Sequence, residues 1–211
     1  MAHSFFASSS NSKKKDFDFT SMSSSYDRGL AGKLSEPFYR LVCKESRLKQ
    51  GMKVLDVGCG VGLLLQRLNQ AKKIDAYGVD INPTMLDIAR QRLPEGNFAQ
   101  AVSEAMPYED HTFDRLTACM AYHHFDDKES FAYEAARVLK PGGLLLIADP
   151  RFPSFLMKLI NSIMDHLGII GHISSPKEIA RELGVHGFKR VRLVKSGYAQ
   201  LIVLRLSSPE E

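Results

Sequence analysis

The sequence predicts an α/β fold: a doubly wound sheet of seven strands, mostly parallel, with an antiparallel C-terminal hairpin strand. Two observations indicate this fold. From residue 53 to residue 148, short uninterrupted apolar runs alternate with helical patterns, which is typical of a parallel sheet covered by helices on both faces. Nearer the C-terminus, two strand-like runs are joined by Lys195-Ser196-Gly197, and a loop this short predicts an antiparallel hairpin.

The elements can be predicted in chain order. A first helix covers 30–42, with a turn or kink near Pro37. Asn82 can cap a helix whose first turn holds Pro83, and Pro141-Gly142-Gly143 predicts a turn. The apolar stripe of a long helix at 152–167 is expected to pack into the core. Strands are predicted at 53–57, 76–80, 98–102, 113–120, 144–148, 188–194 and 198–206, and further helices at 63–68, 83–93, 127–139 and 177–183.

Composition limits the classes of function. A length of 211 residues with 44% hydrophobic residues suits one globular domain. The net charge of +4 is not concentrated in one patch, so no nucleic-acid partner is expected. No apolar run approaches the length of a membrane span, and none is predicted. Three cysteines without close spacing argue against a disulfide framework or a metal site and favour a reducing, cytoplasmic location.

The chain divides into three predicted parts. Residues 1–20 are rich in serine and contain the basic run Lys13-Lys14-Lys15, which predicts a flexible, solvated tail. Residues 21–50 are expected to form a helical segment that could cover a ligand site as a lid. Residues 51–207 hold the alternating pattern and are expected to form the ligand-binding domain.

The stretch VLDVGCGVG, residues 54–62, indicates a nucleoside-binding turn. Its three glycines stand between a strand pattern and a helix pattern, where bare backbone amides and a helix N-terminus can receive a ligand. Asp80 ends the next strand, 22 residues after Gly58, where a carboxylate can accept both hydrogen bonds of a ribose diol. Asp56 would repel a pyrophosphate and suits a cationic or zwitterionic ligand, and the GxGxG spacing also argues against a dinucleotide.

With these residues the chain resembles the Rossmann-like S-adenosylmethionine-dependent methyltransferases, in particular their small-molecule, quinone-methyltransferase-like branch. The resemblance covers roughly residues 50–206, and VLDVGCGVG is similar to the family's first motif. It implies S-adenosylmethionine as the cofactor and methyl transfer to a small-molecule acceptor as the activity. The other segments that carry it are, in order, Gly78 to Leu86, Met106-Pro107-Tyr108 with Phe113-Asp114, Tyr122-His123-His124-Phe125, and Arg137 to Gly143.

The resemblance also implies roles for individual residues. His123 and His124 follow the fourth strand at the acceptor side, where either could act as a base; each could equally be structural. Many relatives carry an aspartate for the adenine amino group at the position of Val102, so Ser103 and Glu104 are expected to make that contact instead. The residues expected to bind the cofactor are Asp56, Gly58, Cys59, Gly60, Asp80, Ile81, Ser103, Glu104, Met120 and, as part of the lid, Tyr26.

Several alternatives stay open at this level. The chain could bind S-adenosylmethionine without transferring a methyl group, as a regulator or a subunit of a complex. A nucleotide-dependent oxidoreductase and a protein or nucleic-acid methyltransferase fit the motifs less well. The acceptor is expected to be hydrophobic or aromatic if the helix at 152–167 borders it, whereas Arg151 would suit an acidic acceptor. An oligomer is compatible with the sequence.

Overall fold

In the computed structural model, residues 30–167 and 171–208 are described, so the predicted tail at 1–20 and Tyr26 lie outside the described residues. No helix within these ranges is long and apolar enough to cross a membrane. The helices are α1 (Leu30–Glu45), α2 (Leu63–Ala71), α3 (Pro83–Arg92), α4 (Lys128–Val138), α5 (Ser154–Leu167) and α6 (Pro176–Gly184), with a short 3-10 helix at Tyr122–His124. The strands are β1 (Lys53–Val57), β2 (Asp75–Asp80), β3 (Asn97–Gln100), β4 (Phe113–Cys119), β5 (Leu139–Pro150), β6 (Phe188–Ser196) and β7 (Ala199–Leu206).

The seven strands form one sheet in the order β3-β2-β1-β4-β5-β7-β6. Each neighbouring pair from β3 to β5 is parallel. Strand β7 runs antiparallel to both β5 and β6, so it is the reversed strand of the sheet. The predicted fold class, a Rossmann-like doubly wound sheet with an antiparallel C-terminal hairpin strand, is confirmed.

The sheet has an apolar core on each face because its central strands alternate their side chains between the two. Leu55 of β1 packs on one face with Phe131 of α4 and Ile179 of α6. Val54 points to the other face, where it packs with Phe38 of α1 and Leu65 of α2. This three-layer arrangement is the one that uninterrupted apolar strands predict, since such strands have no solvent-exposed side.

Local sequence signals explain the starts of two helices. The Asn82 side chain accepts hydrogen bonds from the backbone N–H groups of Thr84 and Met85 and caps α3 as predicted. Ser175 and Glu178 form a capping box at the start of α6. The first helix differs from its prediction, because α1 continues through Pro37 to Glu45.

The predicted turn at 141–143 lies inside β5. The pairing between β4 and β5 jumps from Phe113–Leu139 to Arg115–Leu144, so the intervening residues form a bulge that keeps the strand in the sheet. Gly142 adopts a φ of 75°, which explains why the sequence reads locally as a turn. The prediction that residues 141–143 form a turn before the strand was therefore wrong, because the strand already begins at Leu139.

A partly buried ion pair fastens the loop between β3 and β4 to α4. The Glu134 carboxylate accepts the backbone N–H of Met106 at 2.8 Å and bonds to the Arg137 guanidinium at 2.6 Å. Arg137 also donates to the carbonyl oxygens of Met106 and Tyr108. The Arg137 contacts hold the pKa of Glu134 below its usual range. This loop begins beside the site described below, so the clamp also fixes one of its walls.

Helix α5 contradicts the expectation that its apolar stripe packs into the core. Among its described side chains only Asn161 is buried, through hydrogen bonds to the backbone N–H and carbonyl of Ile173. Phe155 is 73% exposed and Leu159 is 54% exposed. The periodicity correctly predicted an amphipathic helix, but the rest of the protein leaves part of its apolar face exposed.

Candidate active site

A cavity of about 840 Å³ lies at the carboxyl ends of β1, β2 and β4. The strand order reverses between β1 and β4, and such switch points are where open α/β sheets bind ligands. Because β2, β1 and β4 are neighbours in the sheet, the residues at their carboxyl ends follow one another along the cavity in the same order. Asp80 at the end of β2 lies toward one end, the glycine loop after β1 lies in the middle, and His124 after β4 lies toward the other end.

The absence of side chains in the glycine loop has two consequences. A Cβ at Gly58 would lie 2.6 Å from the Cβ of Ala121, so this glycine permits close contact with the end of β4. A Cβ at Gly60 would meet nothing within 4 Å, and Gly60 lines the cavity, so its backbone is open to a ligand. Both residues have positive φ angles, 72° and 50°, which disfavour other residues.

The Asp80 carboxylate connects the two loops that form the floor of the cavity. One oxygen accepts the Gly60 N–H at 2.8 Å, and the other accepts the Asn82 N–H at 2.9 Å. Burial raises the pKa of Asp80, and these N–H groups oppose that rise. Each carboxylate oxygen keeps a further lone pair, so the group can still accept hydrogen bonds from a diol.

Asp56 supplies a second carboxyl group under the glycine loop. It is 3% exposed, lines the cavity, and accepts a hydrogen bond from the Thr117 hydroxyl at 2.6 Å. Burial, with a smaller contribution from the Asp80 charge, raises the pKa of Asp56 to about 7. Asp56 and Asp80 together suit a cationic ligand, because a positive charge would stabilise both carboxylates.

The far end of the cavity is formed by residues that follow β4. Met120 adopts a positive φ of 56°, a conformation that is rare for a residue with a side chain and is concentrated at functional sites. Met120, Ala121, His124 and Phe125 all line the cavity. His123 does not line the cavity, and its Nδ1 lies 2.9 Å from the buried Asp149 carboxylate.

The structure brings together most of the predicted site residues. His123 is buried beside the cavity, with its ring centroid 4.0 Å from that of His124, and Tyr26 lies outside the described residues. Those that line the cavity are Asp56, Gly58, Cys59, Gly60, Asp80, Ile81, Ser103, Glu104, Met120 and His124. Their binding and catalytic roles stay predictions.

Sequence reasoning missed three residues of this region. Tyr39 of α1 lines the cavity, and no local pattern announced it. Thr117 and Asp149 support the carboxyl and imidazole groups of Asp56 and His123. Each is a polar residue within an apolar strand pattern, and a polar group at a buried position needs a partner. That signal could have marked both.

Comparison with known proteins identifies the domain. Residues 55–147 match the family model described as "Methyltransferase domain". Residues 55–147 thus resemble a methyltransferase domain. The demethylmenaquinone methyltransferase of Chlorobaculum tepidum is 32% identical over 138 residues, which cover 63% of this chain and 54% of that protein. The chain thus spans about half the length of the curated relatives it matches. The resemblance inferred from the motifs is confirmed.

Solved structures agree on the fold. One chain of the complex between the Haloferax volcanii Trm112 methyltransferase activator and a methyltransferase matches with a TM-score of 0.80 and 18% identity, with 90% of this chain and 98% of that chain covered. Geranyl diphosphate methyltransferase in complex with S-adenosylmethionine has a TM-score of 0.69, with 15% identity, 83% of this chain and 87% of that chain covered. At these identities the likeness shows the methyltransferase fold alone.

The cavity fits the predicted cofactor, S-adenosylmethionine. Asp80 offers acceptors for ribose hydroxyls, and Gly60 presents a backbone with no side chain to fill the space. Asp56 offers negative charge to the cationic methionine half. Val102 lines the cavity, half-exposed, beside Ser103 and Glu104, so the loop expected to meet the adenine lies in the wall.

We predict that Asp56→Asn becomes progressively more stable than the wild type as pH rises. The pKa of Asp56 is raised from 3.8 to about 7 in the folded protein, so between these pH values the unfolded chain releases a proton that the folded protein keeps. The wild type therefore loses stability as pH rises, whereas a neutral amide causes no such loss. Between about pH 5 and pH 7 the difference in unfolding free energy should grow by roughly 2–3 kcal/mol. Urea unfolding across this range measures it.

The exposed Asp75, at the start of β2, provides the control. Asp75→Asn should follow the wild type at every pH. A difference between Asp56→Asn and the wild type that is constant from acid to neutral pH would contradict a raised Asp56 pKa.

Proposed function

We propose that the protein transfers a methyl group from S-adenosylmethionine to a small, apolar, aromatic acceptor of quinone type. The observation that carries the proposal is the cavity that joins Asp80 and the glycine loop to His124 and Phe125. The curated relative from Chlorobaculum tepidum is named a demethylmenaquinone methyltransferase, which supports an aromatic acceptor. Because the match covers about half of that relative, the acceptor is a proposal for this chain.

The chain's own residues would act mainly by positioning. S-adenosylmethionine, when bound, supplies the electrophilic methyl group. Asp80 would hold the ribose and Asp56 would balance the positive charge of the methionine half. Placing the acceptor and the methyl group together supplies much of the rate enhancement in a displacement reaction. His124 lines the acceptor end, where it can take a proton from a ring hydroxyl that is activated for methylation.

The contact with Asp149 suggests a role for His123 that differs from that of His124. The Asp149 carboxylate fixes the His123 Nδ1 at 2.9 Å, and the His123 ring packs against that of His124. His123 is therefore assigned to support His124, rather than to meet the acceptor. Arg151 does not reach the main cavity, since its guanidinium donates to the Gly197 carbonyl at 2.8 Å, so an acidic acceptor receives no support from it.

Calorimetry with S-adenosylhomocysteine and NAD tests the cofactor. We expect S-adenosylhomocysteine to bind and NAD to bind negligibly. Asp80→Asn removes the negative charge and one acceptor, so affinity should fall about ten- to hundredfold. Asp87→Asn, at an exposed acid on α3, should leave affinity unchanged. Tighter binding of NAD than of S-adenosylhomocysteine would refute the assignment.

Turnover with a soluble naphthoquinol acceptor tests the transfer. His124→Ala should lower kcat at least about tenfold and change cofactor affinity little, because His124 lies at the acceptor end. His166→Ala, at an exposed position of α5, is the matched control. Equal losses of kcat and cofactor affinity would show that His124 is structural. Cofactor binding without turnover on any quinol would favour a binding protein over an enzyme.

A further inference from the structure

Helix α5 carries an exposed apolar row that the two cores leave uncovered. We define the α5 stripe as Phe155, Leu159, Ile163 and Leu167, which recur every fourth residue and so lie along one face. They are 73%, 54%, 48% and 57% exposed, respectively. Contiguous exposed apolar surface of this kind marks interaction sites more often than isolated exposed residues do.

The α5 stripe belongs to a helix that borders the acceptor end of the cavity. Asn161 of α5 is bonded to Ile173, and the His172 N–H donates to the His123 carbonyl at 2.7 Å. A Cβ at Gly171 would lie 2.7 Å from the terminal methyl carbon of Met164 and 3.6 Å from the His124 Nδ1. One short segment thus separates α5 from the histidine that faces the acceptor.

Basic side chains lie at the start of α5. Arg151 and Lys195 line a small cavity of about 130 Å³ together with Ser154 and Met157 of this helix. Lys158 is exposed one turn further along, and the acid on α5 is Asp165, near the other end. The N-terminal half of α5 therefore combines exposed apolar side chains with positive charge.

A lipid surface matches this combination better than a second copy of the chain does. A stable protein interface usually needs about 800 Å² from each partner and roughly 20–30 residues a side, whereas the α5 stripe is four side chains on one helix. An amphipathic helix needs only one apolar face to lie in the headgroup region, and nearby Lys and Arg add attraction to anionic lipids.

We propose that the α5 stripe docks the protein on an anionic lipid surface, with Phe155 and Leu159 inserted among the acyl chains near the headgroups. The proposal rests on the proposed function, because a lipophilic aromatic acceptor would reside in that surface. Docking through α5 brings the acceptor end of the cavity to the lipid, so the acceptor reaches His124 without crossing water.

Flotation of the full chain with vesicles tests the proposal. Vesicles of phosphatidylcholine mixed with phosphatidylserine should carry the wild type, and binding should weaken as salt rises. Phe155→Ser combined with Leu159→Ser should lower partitioning by about tenfold or more, since two apolar side chains lose their burial. Tyr133→Ser, at a 62% exposed aromatic residue on α4, should leave partitioning unchanged.

Several outcomes would overturn docking. The wild type could fail to float with any vesicle, or Tyr133→Ser could lose binding as fully as the stripe variant. Light scattering could instead show a dimer that the stripe variant abolishes, which would make the stripe a contact between copies.

Cofactor affinity keeps this test apart from the proposed function. The stripe variant should bind S-adenosylhomocysteine like the wild type and should methylate a soluble quinol at an unchanged rate, because its substitutions are exposed and lie outside the cavity. Only methylation of a long-chain quinol presented in vesicles should fall. A wild type that binds cofactor but not vesicles would refute docking and leave the proposed function standing. A wild type that binds no cofactor would refute the proposed function alone.

Discussion

The site depends on the Asp80 carboxylate, which accepts one backbone N–H from each of two loops. Those bonds, from Gly60 and Asn82, set the glycine loop after β1 against the turn after β2. The loop can take this path because Gly58 has no Cβ, which would otherwise lie 2.6 Å from the Cβ of Ala121. A carboxylate charge, bare backbone and the parallel pairing of β1 with β2 together form the cofactor half of the cavity.

A second acid makes this arrangement electrostatically costly. Asp56 lies beneath the loop, where burial and the charge of Asp80 raise its pKa to about 7. Thr117, its neighbour across the pairing of β1 and β4, donates a hydroxyl hydrogen bond that limits the cost. A site that holds one buried and one partly buried carboxyl group is poorly stabilised when empty and well suited to a cationic ligand, which connects stability to ligand choice.

Much of the fold was predictable because apolar runs, caps and glycines are local signals. The glycine loop, Asp80 and His124 were found this way, and all three line the cavity. Contacts made by the sheet were not predictable: Thr117 reaches Asp56 from 61 residues away, and Asp149 reaches His123 from 26. The periodicity of α5 likewise revealed an apolar face but could not tell whether protein, lipid or water would meet it.

Proton release on cofactor binding tests most directly whether buried acids select a cationic ligand. Calorimetry with S-adenosylmethionine near pH 7, in buffers of different ionisation enthalpy, counts the protons exchanged. The wild type should release up to about half a proton, since Asp56 is about half protonated near pH 7 and the ligand's charge should draw its pKa down. Asp56→Asn should lack that contribution. Equal proton exchange by the wild type and Asp56→Asn would contradict the account.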